Sequence, residues 1–185
     1  MSSGGKQSPA TIGFYSVAAY EPHGLFGGLL LLDKNGRPRE FHCTAPVKPN
    51  RAQEILYGAS LPSYLYGEAI GQALLAKASV TPDWTCVDSA AALALREFSD
   101  MPTVLVMPPS EPGAKAEPLF RVDAAHDALL RPVTIGRHRL AVHRRFGGDE
   151  TQLAAHLAAL PEHFDLLEPF ARIRGAIEEA QRGGR

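Results

Sequence analysis

The chain has 185 residues, is 45% hydrophobic and 21% charged, and carries a formal net charge of −1. That length and apolar content describe one globular domain and exclude a disordered chain. The even charge excludes binding to nucleic acid or membrane by bulk charge alone, and two cysteines exclude a disulfide scaffold.

Residues 1–10 are small and polar with no apolar stretch, which predicts a flexible tail rather than a secretory signal. A single α/β domain is expected over 11–185. The longest apolar run, Gly24–Leu32, is far short of the roughly 20 residues that span a bilayer. A cytoplasmic protein with no membrane partner is therefore expected.

Ile12–Tyr20 (IGFYSVAAY) is rich in strand formers and apolar enough to lie centrally in a sheet. Glu21-Pro22-His23-Gly24 breaks it, and Gly27–Asp33 forms the next strand. Lys34-Asn35-Gly36 predicts a hairpin with a type I′ turn, because Asn-Gly supplies positive φ angles. Arg39–Thr44 returns as a third strand, giving an antiparallel meander. Asn50 and Gln53 have capping-box spacing for a short helix over Arg51–Tyr57, closed by Gly58. A longer helix starts near Leu61-Pro62-Ser63 and runs to about Ala78, with Leu65, Ala69 and Ala73 on its apolar face.

Trp84–Asp88 (WTCVD) reads as a short buried strand, and Ser89–Phe98 as a helix with Asp88 or Ser89 at its N-cap. Thr103–Met107 (TVLVM) is a second buried strand. This strand–helix–strand unit predicts a parallel pair covered by a helix. Four prolines mark 108–118 as a Pro-rich loop, and Leu119–Val122 reads as a brief strand. A hairpin is expected over Arg131–Phe146 with its turn near Gly136–His138. Asp149 and Gln152 cap a helix through Leu160. A last helix spans about Asp165–Gln181, with Pro169 delaying its start and Leu166, Phe170, Ile173 and Ile177 as its sheet-facing stripe.

Three antiparallel strands, a helix, a strand, a helix and a strand resemble the ribonuclease H-like fold: a mixed sheet, antiparallel meander plus parallel strands, flanked by helices. Within it, residues 61–107 resemble endonuclease V. The resemblance is carried by Leu61-Pro-Ser-Tyr64-Leu-Tyr-Gly-Glu68, by Trp84-Thr-Cys-Val-Asp88-Ser89 and by Met101-Pro102-Thr-Val-Leu-Val106. It implies that Glu68 matches the family's helix carboxylate and Asp88 its strand-end carboxylate. Both would then be catalytic residues and ligands of Mg²⁺ or Mn²⁺, which activate water for phosphoryl displacement on DNA or RNA. Three departures stand against this. The family's first-strand Asp has no counterpart in Val17-Ala18-Ala19-Tyr20, so Glu21, just past the strand, would have to serve. The Arg before the helix Glu is Gly67, and the Gly after the strand-end Asp is Ser89.

Each residue also has a plainer reading. Asp88 suits a helix cap, Glu68 a solvated first-turn position and Glu21 an exposed turn. Arg131–Arg145 holds five arginines and no acid. Arg137, Arg139, Arg144 and Arg145 could track a phosphate backbone, or simply keep a sheet edge soluble. The glycines of Gly24–Gly28 lack the context of a phosphate loop and predict a β-bulge or close backbone approach. Cys43 and Cys86 are expected to be reduced packing thiols. Tyr57, Tyr64 and Tyr66 could stack bases, meet a protein, or pack.

Three functions therefore compete. The first is metal-dependent nucleic-acid processing, in an active or a catalytically inactive form. The second is a non-catalytic module for a protein partner or homo-oligomer. The third is a small-molecule site at the carboxyl ends of Trp84–Asp88 and Thr103–Met107. Convergence of the Glu21, Glu68 and Asp88 carboxyls would favour the first.

Overall fold

A computed structural model of the chain describes residues 10–109 and 129–183. The expected tail over 1–9, the loop from 110 onward and the strand Leu119–Val122 lie outside the described residues.

The meander forms from β1 (Thr11–Tyr20), β2 (Gly24–Asp33) and β3 (Pro38–Cys43). The β2–β3 turn differs from the type I′ expectation. Asn35 does not take a positive φ; only Gly36 does, at 78°. The Asp33 carboxylate accepts the backbone N–H groups of Asn35 and Arg37. This side-chain anchor, with Gly36 left-handed, favours the longer loop over the two-residue turn.

Helix α1 (Arg51–Tyr57) carries the anticipated capping box: Asn50 accepts from the Gln53 N–H, and Gln53 reaches back to the Asn50 N–H. Residues 61–77 then run as one continuous helix, α2, whose middle, Tyr64–Gln72, is π-helical. β4 (Trp84–Val87) and β5 (Thr103–Val106) both run parallel to β1. Between them the expected α-helix is a tighter 3₁₀ helix, Ala91–Glu97. Its N-cap is Ala90, and Ser89, one residue ahead, accepts the Ala92 N–H on its hydroxyl at 3.3 Å. Asp88 does not cap it, being turned to other partners.

β6 (Leu130–Ile135) and β7 (His138–His143) form the second hairpin. The seven-stranded sheet has the order β3-β2-β1-β4-β5-β7-β6. It is mixed: the outer pairs are antiparallel and the β1-β4-β5 centre is parallel. Helix α3 (Asp149–Ala158) begins at Asp149, but this residue is not its cap. Its carboxylate is buried and takes a two-pronged ion pair from Arg96, at 2.7 and 3.1 Å. Helix α4 (Glu168–Gly183) starts at the residue before Pro169, as the missing proline N–H dictates.

Strand alternation sorts the core onto two faces. Ile12, Phe14, Trp84, Cys86, Val104 and Val142 meet Leu153 of α3 and Phe170, Ile173 and Ile177 of α4. Tyr15, Leu29, Leu31, Val87 and Leu105 meet Ile70 and Leu74 of α2 and Leu93 and Leu95 of the 3₁₀ helix. This is an α/β domain with helices on both faces of one sheet. The β2 glycines make the two faces tight. A Cβ on Gly27 would sit 2.1 Å from Ile70, and one on Gly28 2.4 Å from Ile173, so the close-approach expectation holds. Cys86 is fully buried, which pushes its thiol well above the ordinary range and leaves it a packing group. Among the described residues no helix is long and apolar enough to cross a membrane.

Candidate functional site

The parallel pairing of β1 with β4 ends where Tyr15 lies opposite Val87, while β1 itself continues to Tyr20. One residue further, Ser16 lies beside Asp88, and its hydroxyl donates to the Asp88 carboxylate at 2.7 Å. Cys86 faces α4 and Val87 faces α2, so alternation returns Asp88 to the α4 side. There Arg174 of α4 donates to the same carboxylate oxygen at 3.1 Å. Burial raises the Asp88 carboxyl above its usual range, outweighing the Ser16 hydrogen bond and the Arg174 charge, which act to lower it.

The three carboxylates proposed from sequence are not assembled. Glu21 sits in the exposed turn after β1, five residues beyond Ser16, which is roughly 16 Å along an extended chain. Glu68 is exposed on α2. Its charge is felt by Tyr57 rather than by Asp88. Among the described residues no group of three or more His, Cys, Asp or Glu side chains could hold a metal ion. The donor set at Asp88 does not fit Mg²⁺ or Mn²⁺ either. Such ions want several oxygen ligands, whereas the one carboxylate present is already matched by a guanidinium and a hydroxyl.

Gly67 fills the position where the resemblance calls for an Arg, and no side chain fits there. A Cβ would stand 2.6 Å from the Phe98 ring and 2.9 Å from the Ala94 carbonyl. The glycine lets α2 lie directly on the 3₁₀ helix.

Ser16 and Arg174 escaped the sequence reading. Arg174 carried a signal: it is four residues after Phe170 and three before Ile177, at the margin of the buried row of α4, with its own side chain half exposed. A charge beside that row calls for a buried partner.

Two tyrosines, Tyr15 and Tyr66, feel the Asp88 charge. Tyr66 is half-buried, and burial and then the Asp88 charge raise its phenol above the ordinary range. The buried Tyr15 hydroxyl donates to the Tyr66 carbonyl. Tyr57 and Tyr64 stack face to face, ring centroids 4.1 Å apart. Tyr57 closes helix α1, none of whose residues is buried; Ile55 is 66% and Leu56 82% exposed.

The arginines of the second hairpin do not form one stripe. Arg137 and Arg139 stand at the start of β7, bonded to the carbonyls of Phe164 and Pro108. Arg144 and Arg145 stand beyond its other end, where Arg144 reaches the Leu130 carbonyl and Arg145 pairs with Glu97. Five residues of strand, roughly 17 Å, separate Arg139 from Arg144. His143, between them, is fully buried and bonded to Glu97 at 3.0 Å, so it adds no surface charge. The edge strand is β6, not β7.

No family model matches the chain, and no curated protein does. Among solved structures, the crystal structure of human ENDOV is similar at 15% identity, with a TM-score of 0.46, over 95% of this chain and 86% of that one.

Proposed function

We propose that this protein is a catalytically inactive nuclease-like domain that binds single-stranded nucleic acid by stacking rather than cutting it. The observation that carries the reading is the Asp88 carboxylate. Its Oδ2 is held by Ser16 and Arg174, where a nuclease of the resembled family would need further carboxylates and a metal. The β-β-β-α-β-α-β element order supports the ribonuclease H-like assignment, with a short 3₁₀ helix in place of the second α-helix. For a polyanion, the Tyr57–Tyr64 stack, whose Tyr57 is exposed, offers an aromatic platform, with Arg51 at the other end of α1 and Arg174 half exposed at the Asp88 centre. Mg²⁺ or Mn²⁺ is not required in this reading.

The test is fluorescence anisotropy with labelled single-stranded DNA and RNA, alongside a cleavage assay in Mn²⁺. Salt-sensitive binding without cleavage is expected. Tyr57→Ala should weaken binding by roughly 5- to 150-fold, the measured range for losing one stacked base. Manganese-dependent cleavage that Asp88→Asn abolishes would overturn the inactive assignment. Absence of binding to both strands would overturn the nucleic-acid assignment.

A second reading is favoured by α1 itself. Two large aliphatic side chains lie exposed beside Tyr57 on a helix that buries none of its residues, which suits a protein partner or a second copy of the chain. Concentration-dependent association lost in Leu56→Asp would select it over the first.

A further inference from the structure

We propose that the cavity at the carboxyl end of β5 is a binding site for a small organic oxyanion, separate from the Asp88 centre and independent of the function proposed above. The cavity encloses about 510 Å³, within the range of small-molecule sites. It opens where β5 ends and β7 begins, at the boundary between the parallel and antiparallel parts of the sheet. Open α/β sheets bind ligands in such crevices outside the carboxyl ends of their strands, because the backbone stops there and loops diverge.

Its polar wall is cationic. Among the described lining residues, Arg137 and Arg139 carry permanent charges, His138 and His163 are ionisable rings, and Asp165 is the opposing carboxylate. Asp165 accepts the Leu167 N–H at 2.8 Å, which commits one of its oxygens to shaping the loop before α4. Arg137 is anchored by a bond to the Phe164 carbonyl, so its fork is positioned against the cavity rather than trailing in solvent. The facing wall is apolar, built from Val106, Met107 and Leu166. The Arg137 guanidinium, held through one of its NH2 groups, recognises a planar or tetrahedral oxyanion with its other donors, and the apolar wall takes a small hydrocarbon or aromatic body. A carboxylate and a phosphate monoester share this chemistry.

Charge on the His138 imidazole should tune the site. Burial and the neighbouring Arg137 hold His138 below the usual histidine range, with Asp165 opposing them. Its protonation, and the gain in anion affinity that follows, belongs below that range. Arg137, Arg139, His163 and Asp165 are the other charged or ionisable groups lining the cavity.

Titration calorimetry on the full chain tests the site, with phenyl phosphate and benzoate as probes and inorganic phosphate as a control. Saturable one-site binding of at least one aromatic probe is expected, stronger than that of inorganic phosphate and strengthening as pH falls. The probe that binds identifies which oxyanion the site prefers. Arg137→Gln should weaken binding about ten-fold or more, the cost of a lost charge-assisted hydrogen bond. His138→Gln, at a partly exposed position outside the core, should flatten the pH dependence. No saturable binding of either probe, or binding unchanged in both variants, would overturn the proposal.

Discussion

Asp88 sets the chemistry of the central site through two contacts on one oxygen. Its raised carboxyl pKa has a direct consequence for stability. The folded chain holds this proton more tightly than the unfolded chain does. Stability from this group is therefore greatest at acid pH and falls as pH rises through the ordinary carboxylate value and up to the raised one. Arg174 counters that loss by favouring the ionised form. In Arg174→Gln the deficit should be largest at neutral pH and shrink as pH falls and Asp88 takes up its proton. The pair is half exposed on the arginine side, so the deficit should stay below about 1 kcal/mol. Urea denaturation of both proteins from about pH 8 to about pH 5 measures it; a deficit that grows toward acid would refute the assigned role of Arg174.

At the scale of elements, the start of α3 has the highest mechanical stake. Asp149 is 2% exposed and is bonded twice to Arg96, which lies 4.0 Å over the Phe146 ring and also donates to the Ser99 carbonyl. One buried pair thus ties the 3₁₀ helix to α3 across the β7 turn. Asp149→Ala leaves the guanidinium buried and unmatched, at a cost of about 3–5 kcal/mol. Chemical denaturation should show this as a fall in midpoint with an unchanged slope. The sequence revealed α3 through its spacing but presented Asp149 as a cap, because local rules see neighbours within four residues and Arg96 is 53 away. The same limit explains the other differences. The α1 capping box and the apolar stripe of α4 are local patterns and were legible. The β2–β3 turn was decided by the Asp33 carboxylate, and the 3₁₀ helix forms where Asp88 is engaged elsewhere. The candidate site was half legible. Asp88 was marked by its place at a strand end, while its partners Ser16 and Arg174 lie 72 and 86 residues away and left no local pattern.

Across the whole molecule, a net charge of −1 hides a division of labour that composition cannot display. Only Arg137 and Arg139 stand at the carboxyl end of β5, while Arg144 and Arg145 stand at the opposite edge of the sheet, so the basic groups do not act as a block. If the scaffold is nuclease-like, the missing chemistry should be restorable at the position that lost it. Ser16→Asp would place a second carboxylate beside Asp88, and Arg174→Gln would remove the competing cation. Without metal this double variant should be less stable than the wild type, since two like charges would share a buried site. Manganese should then stabilise it by mass action, reaching about 2.7 kcal/mol at a hundred-fold excess over Kd. Thermal melts with and without Mn²⁺ separate the cases. A manganese-dependent rise in Tm confined to the double variant supports an inherited metal-site geometry. An equal response in the wild type would show that Asp88 binds metal despite Arg174, and no response in either would remove the nuclease-like reading of the Asp88 centre.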